Sequence, residues 1–146
     1  MSTITIRPLE PNDFPNWLPL WDGNNLGQRN EAVTTHTWSR LMDKQSAVGG
    51  LCALRGGEMA GLVHYILHPT TGAIESACYM QDVYVDPEFR QQGIAAKLVK
   101  ELEEMGRSEG WSRLYWLADA GNEAAQALYK KIGVKMNFNL FIQPLK

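Results

Sequence analysis

Apolar and polar residues alternate in "TITIR", which predicts a first strand. Pro8 and Pro11 end it, and Asn12 or Asp13 caps a short helix through Leu20. "DGNNLGQRNE" is polar and rich in Gly and Asn, so it reads as a loop. A second helix is expected over Glu31 to Asp43. "GLCALRGGEMAGLVHYILH" reads as two strands joined at Gly56-Gly57, a hairpin signal. Another strand follows from about Ala77 to Val85. Helical spacing then takes over, with Ala95, Leu98, Val99, Leu102 and Met105 on one face. "SRLYWLA" is strand-like, and "NEAAQALYKKIG" is a strong helix with Asn122 as N-cap and Gly133 at its end. Ala125, Leu128, Tyr129 and Ile132 share one face of that helix. "NFNLFIQPL" reads as a last strand. The order is β-α-α-β-β-β-α-β-α-β. It predicts an α/β fold with a mixed central sheet, helices on both faces and a single domain over residues 1–146.

Composition narrows the function classes. A length of 146 residues suits one core. The formal net charge of −2 argues against general nucleic-acid binding, which needs a basic surface. Cys52 and Cys78 have neither metal-ligand spacing nor the density of a disulfide framework, so they read as buried thiols and no metal is expected. No apolar run is long enough to span a membrane, and the N-terminus lacks an apolar signal core. A cytoplasmic protein is expected.

The chemistry concentrates at two helix starts. Arg90-Gln91-Gln92-Gly93-Ile94-Ala95-Ala96 sits between a strand and a helix. A helix N-terminus leaves N–H donors unpaired and carries partial positive charge. Small residues such as Gly93 and Ala95 let a phosphate approach those donors, and Arg90 adds charge. The alternative is a plain Gly turn ahead of a core helix. Asn122-x-x-Ala125-x-x-Leu128-Tyr129-x-x-x-Gly133 is the second element. By helix spacing alone Tyr129 is a core aromatic.

Together with the preceding "YMQDVYV" strand, these pieces resemble, in this order, the GNAT superfamily of N-acetyltransferases. The element order agrees along the whole chain, and residues 79–133 agree in detail. The resemblance implies acetyl-CoA as cosubstrate, its pyrophosphate on the backbone N–H groups from Gln91 through Gln92, Gly93, Ile94 and Ala95 to Ala96. The pantetheine arm would pair with the backbone of Val83, Tyr84 and Val85, in a gap where this strand splays from the next near Tyr115 to Leu117. Asn122 would contact the same arm. Tyr129 would protonate the departing thiolate, and the Val83 N–H would serve the oxyanion.

The acceptor side is less defined. "YMQDVYV" resembles the "Tyr-Leu-Glu-Asp" strand of diamine and polyamine acetyltransferases, but Gln81 stands where their Glu serves the amine. Gln81 cannot take a proton. Asp82 remains as base or amine anchor, or as a salt-bridge partner within the sheet; a regular strand turns it away from Gln81, and a bulge changes that. Glu75 is a second candidate. His64 reads as a satisfied core histidine, His68 as a surface residue, and Tyr79 as either pocket wall or core. Trp17, Trp21 and Trp38 cluster in the region that covers the acceptor in GNATs, so Asp22, Asn24, Asn25 and Glu31 either meet a cationic substrate or form a solvated loop over core tryptophans. The expected acceptor is a small primary amine, polyamine or amino-acid-like, and the expected assembly is a homodimer. The competing readings are a protein or peptide lysine acetyltransferase and a catalytically weak acyl-CoA sensor.

Overall fold

The computed structural model describes residues 3–146. Strand β1 (Ile4–Pro8) leads through a 3-10 turn (Pro11–Asp13) into α1 (Phe14–Asn24) and α2 (Glu31–Met42). Strands β2 (Val48–Arg55), β3 (Glu58–His68) and β4 (Ala77–Val85) form an antiparallel meander with β1. Helix α3 (Ile94–Glu109) crosses to β5 (Arg113–Trp116), which runs parallel to β4, and α4 (Glu123–Ile132) follows. The five strands lie in chain order, β1-β2-β3-β4-β5.

The period of two along the strands sorts side chains to opposite faces, and a bulge at Ala60, between the Leu54–Met59 and Ala53–Gly61 pairs, shifts that phase in β3. Leu51, Ala53, Ala60 and Val63 meet Ile94, Leu98, Val99 and Leu102 of α3 on one face. Cys52, Met59 and Leu62 meet Trp17, Leu20 and Trp21 of α1 on the other. The expected α/β class, mixed sheet and helices on both faces are therefore observed. So is the β2–β3 hairpin: Gly56 and Gly57 take φ of 59° and 84°, the pair of positive angles a two-residue turn needs.

Three elements differ from expectation. Helix α1 continues through Pro19 to Asn24 instead of ending at Leu20: Pro19 forgoes one helical hydrogen bond, and the burial of Trp17, Leu20 and Trp21 on one face outweighs it. Strand β5 keeps only Arg113–Trp116, since Leu117 and Ala118 diverge from β4. The last strand, "NFNLFIQPL", is not formed: residues 134–146 are exposed and belong to no strand, because an alternating pattern encodes a strand only where another strand supplies its hydrogen bonds.

Candidate active site

Strands β4 and β5 pair from Ala77 with Arg113 as far as Met80 with Trp116, and then part. Strand β4 continues to Val85, paired on its other side with β3 through Val63–Val83, Leu62–Tyr84 and Gly61–Val85. On the β5 side Val83, Tyr84 and Val85 pair with no strand among the described residues, and the Val85 carbonyl accepts from Arg90 Nε. The opening is a cleft of about 220 Å³ lined by Asn24, Met80, Gln81, Asp82, Val83, Trp116, Leu117, Ala118, Asp119, Ala125 and Tyr129.

A bulge sets the polar floor of this cleft. The β3–β4 register jumps from His64 opposite Asp82 to Tyr65 opposite Met80, so Gln81 is the extra residue. Gln81 is exposed, and Asp82 turns inward with 20% of its side chain accessible. One carboxylate oxygen of Asp82 accepts from Asn24 Nδ2 at 3.0 Å. The other lies 3.0 Å from His64 Nδ1. His64 is only 3% exposed, and its Nε2 faces the Trp17 indole nitrogen at 3.0 Å. An indole N–H only donates, so His64 Nε2 accepts and Nδ1 carries the hydrogen given to Asp82. This is neutral imidazole in one fixed tautomer. Burial works to raise the Asp82 pKa, but the His64 and Asn24 hydrogen bonds outweigh it and hold the carboxyl below its usual range. Asp82 is thus an anion at neutral pH and a weak base.

The opposite wall carries Tyr129. Its ring packs against Trp116, centroids 5.4 Å apart, and burial pushes the phenol pKa up, so it keeps its proton. Asn122 caps α4, its side-chain oxygen accepting from Ala125 N–H at 3.0 Å, which fixes the helix that presents Tyr129.

Beyond the cleft, Gly93 is the N-cap of α3 with φ of 75°, and Gln91 is also left-handed at 64°. No side chain caps this helix start. A Cβ at Gly93 would meet open space, so the glycine answers to its backbone angle and leaves the approach clear. Gln91, Gln92 and Gly93 are exposed, Ala95 and Ala96 half-buried, and Ile94 is buried in the core. Arg90 donates from Nε to Val85 O at 2.9 Å and lies over the Tyr84 ring at 5.5 Å, so its charge stands at the end of β4.

Other candidates fall elsewhere. Glu75 is exposed in the loop before β4 and does not line the cleft. Asp22 and Glu31 pair with Arg29, at 2.6 and 3.1 Å. Trp17 and Trp21 are stacked core residues 5.2 Å apart, and Trp38 packs on Trp17 at 4.9 Å. Tyr79 packs on Tyr115 at 5.1 Å. His68, expected at the surface, is half-buried: its Nε2 lies 2.6 Å from the Tyr115 hydroxyl. Among the described residues no group of three or more His, Cys, Asp or Glu could hold a metal, and no helix is long and apolar enough to cross a membrane.

The uncapped α3 start, the free β4 edge and the cleft between β4 and β5 fit a ligand with phosphates at one end and a thioester at the other. Residues 13–134 match a family model described as the acetyltransferase (GNAT) family. The chain belongs to that family. It is 30% identical over 143 residues to a D-amino-acid N-acetyltransferase of Saccharomyces cerevisiae, covering 94% of this chain and 89% of the relative. It is 33% identical over 105 residues to a thialysine N-epsilon-acetyltransferase of Caenorhabditis elegans, covering 71% and 64%. The fold superposes on a ribosomal-protein-alanine N-acetyltransferase from Brucella melitensis with a TM-score of 0.81 at 22% identity, over 98% of this chain and 100% of that one. An aminoglycoside N-acetyltransferase in complex with CoA superposes with a TM-score of 0.82 at 17% identity, over 99% and 95%. This GNAT chain is accordingly an acetyl-CoA-dependent N-acetyltransferase.

Proposed function

We propose that this enzyme, one acetyltransferase domain over residues 1–146, moves the acetyl group of acetyl-CoA to the primary amine of a small, amino-acid-like or polyamine-like molecule. The observation that carries the reading is one cleft in which an ionised, doubly hydrogen-bonded Asp82 and a protonated Tyr129 stand on opposite walls. The names of the yeast and worm relatives support an amino-acid-like acceptor.

Asp82 binds the ammonium of the incoming substrate through the faces that Asn24 and His64 leave free. Its low pKa suits an anchor better than a base, so the amine loses its proton to water at the cleft mouth. The amine then attacks the thioester carbonyl, and the Val83 N–H on the free edge donates to the oxygen as it becomes negative. The C–S bond breaks, Tyr129 gives its proton to the sulfur, and the proton still carried by the new amide nitrogen leaves to water as the phenolate takes one back. The N–H groups from Gln91 to Ala96 hold the pyrophosphate, Arg90 adds charge nearby, and Val83 to Val85 together with Asn122 fix the pantetheine arm. The chain works as a homodimer in a reducing compartment such as the cytoplasm; its two cysteines are buried and unpaired. A panel of amino acids, polyamines and lysine peptides assayed with acetyl-CoA for thiol release tests the reading. Free amines should turn over and peptides should not. A peptide preference replaces the small-molecule acceptor, and silence across the panel favours the sensor.

A further inference from the structure

Next to the cleft, the sheet face turned away from α3 carries a row of polar aromatics. Cys78 and Met80 of β4, Leu114 and Trp116 of β5, and Tyr65 and Leu67 of β3 all pack toward α3. Alternation turns the residues between and beside them, Tyr79, Tyr115 and His68, to the opposite face. Asp82 joins that face, because the bulged Gln81 takes up one residue and the partner of Asp82, His64, meets Trp17 of α1. Asp82, Tyr79 and Tyr115 thus stand in one row across β4 and β5, with Tyr79 and Tyr115 side by side in the register and in neither apolar core. Burial, with Tyr115 and Asp82 close by, pushes the Tyr79 phenol up, so the middle of the row stays neutral.

The row ends on a cation. The Arg113 guanidinium lies over the Tyr115 ring, 4.8 Å from its centroid. Arg113 is exposed, and among the described residues no carboxylate pairs with it. Tyr115 is held from its other end. His68 lies opposite Ala77, and Ala77 opposite Arg113, so a small residue lets the His68 ring reach across β4. His68 Nδ1 is 2.8 Å from the Pro69 carbonyl, which only accepts. Nδ1 therefore carries the hydrogen, and Nε2 accepts from the Tyr115 hydroxyl at 2.6 Å. His68 and Tyr115 spend their hydrogen bonds on each other and on the backbone. The guanidinium above them is fixed in place and unpaired among the described residues.

We propose that Arg113, set by Tyr115 and His68, binds a carboxylate at the far end of an acceptor whose amine lies at Asp82, with the carbon chain between them over Tyr79 and Tyr115. The subsite rests on the small-amine acceptor proposed above and names its class, an ω-amino acid. Spacing selects the length. Two residue steps of about 3.3 Å and one strand spacing of about 4.8 Å separate Asp82 from Tyr115, so the two charged groups stand roughly 10 Å apart. A chain of about five carbons from amine to carboxylate spans that distance less one hydrogen bond at each end. An α-amine is too close to its own carboxylate to reach both. A diamine of the right length brings a second positive charge to Arg113, which repels it.

The test assays the full chain at saturating acetyl-CoA on ε-aminocaproate, hexamethylenediamine and glycine, beside the variant Arg113→Gln. The wild type should use ε-aminocaproate with a higher kcat/KM than either of the others. In Arg113→Gln the KM for ε-aminocaproate should rise about 10 to 100-fold, the worth of one charge-assisted contact. The KM for the diamine should fall as the like charge goes. Damage to the fold does not move the two in opposite directions. A second readout needs no turnover: in the complex with coenzyme A, the His68 ring signals should shift when ε-aminocaproate is added and stay when hexamethylenediamine is added. Equal use of the two amines by the wild type, a KM for ε-aminocaproate untouched by Arg113→Gln, or a silent His68 ring overturns the subsite and leaves the small-amine acceptor standing. No turnover with any amine overturns both.

Discussion

The two walls of the cleft are built by opposite means. On the Asp82 wall, Asn24 reaches across from α1 and His64 from β3, and Trp17 closes the network from behind with no exposed surface. Each link joins residues far apart in the chain, so the proposed anchor exists only when the whole sheet and α1 have assembled. On the Tyr129 wall, a four-residue strand and a helix with no fully buried residue carry the proposed acid. That helix owes its start to its own cap, Asn122 to Ala125. The difference teaches that the Asp82 wall is set by long-range contacts, whereas Tyr129 rides on a locally specified element.

The largest expected effect removes the donor substrate from both walls. Gly93→Glu places a carboxylate and a Cβ at the α3 start, and coenzyme A binding should disappear from calorimetry while the far-ultraviolet spectrum persists. Gly93→Ala is the control for backbone strain, which left-handed geometry sets at about 1–2 kcal/mol. Unchanged affinity in the Glu variant would move the pyrophosphate elsewhere.

Next comes the Tyr129 wall. Tyr129→Phe keeps the ring on Trp116 and removes only the hydroxyl. The maximal rate should fall about 100-fold, the lower end for general acid catalysis, with coenzyme A affinity nearly unchanged. A Phe variant as fast as wild type under rate-limiting chemistry makes Tyr129 a packing residue and nothing more.

On the Asp82 wall, Asp82→Asn should act on substrate capture, lowering kcat/KM by roughly 10 to 100-fold through loss of one charge-assisted hydrogen bond. The defect should sit mainly in KM and stay constant from pH 6 to 8, because the Asp82 pKa lies below the ordinary carboxylate value of about 4. A fall confined to kcat identifies Asp82 as a base instead. The folded-state pKa is depressed, so Asp82 contributes stability above the unfolded value and loses it as pH drops through the folded one. Asp82→Asn should flatten that acid edge in a denaturation series.

The smallest effect on turnover and a clear one on stability is expected from His64→Phe. It leaves the Trp17 indole N–H without its acceptor and Asp82 without one donor. Unfolding by urea should show a loss of about 1–3 kcal/mol. No loss would mean that water replaces the imidazole.

Most of the fold was legible because it follows periodicity and punctuation. Gly56-Gly57, Asn122 and the apolar face of α3 each act within a few residues of themselves. The end of α1 was set too early at Leu20: Pro19 costs the helix one hydrogen bond, and the burial of Trp17, Leu20 and Trp21 carries it on to Asn24. "NFNLFIQPL" misled for the reverse reason: its pattern is that of a strand, and pairing is a property of two strands. At the site, Asp82 and Tyr129 stood out through motif and residue type. That His64 and Asn24 would meet Asp82 was not visible, since it depends on the bulge at Gln81 and on contacts 18 and 58 residues apart in the chain. A histidine in an apolar strand run was the available signal, and it read as a satisfied core residue.

Cys52 and Cys78 are buried beneath the two faces of the sheet, and burial pushes their thiols up to about 11 and about 12. Thiol reagents and disulfides react with the thiolate, which these side chains almost never present at neutral pH. The folded enzyme therefore contributes no colour of its own when a disulfide dye follows the release of coenzyme A. For the same reason it is indifferent to mixed disulfides formed by its own product. A reading of two dye-reactive groups per chain would signal unfolding, so the assay that follows turnover also reports whether the protein under test is intact.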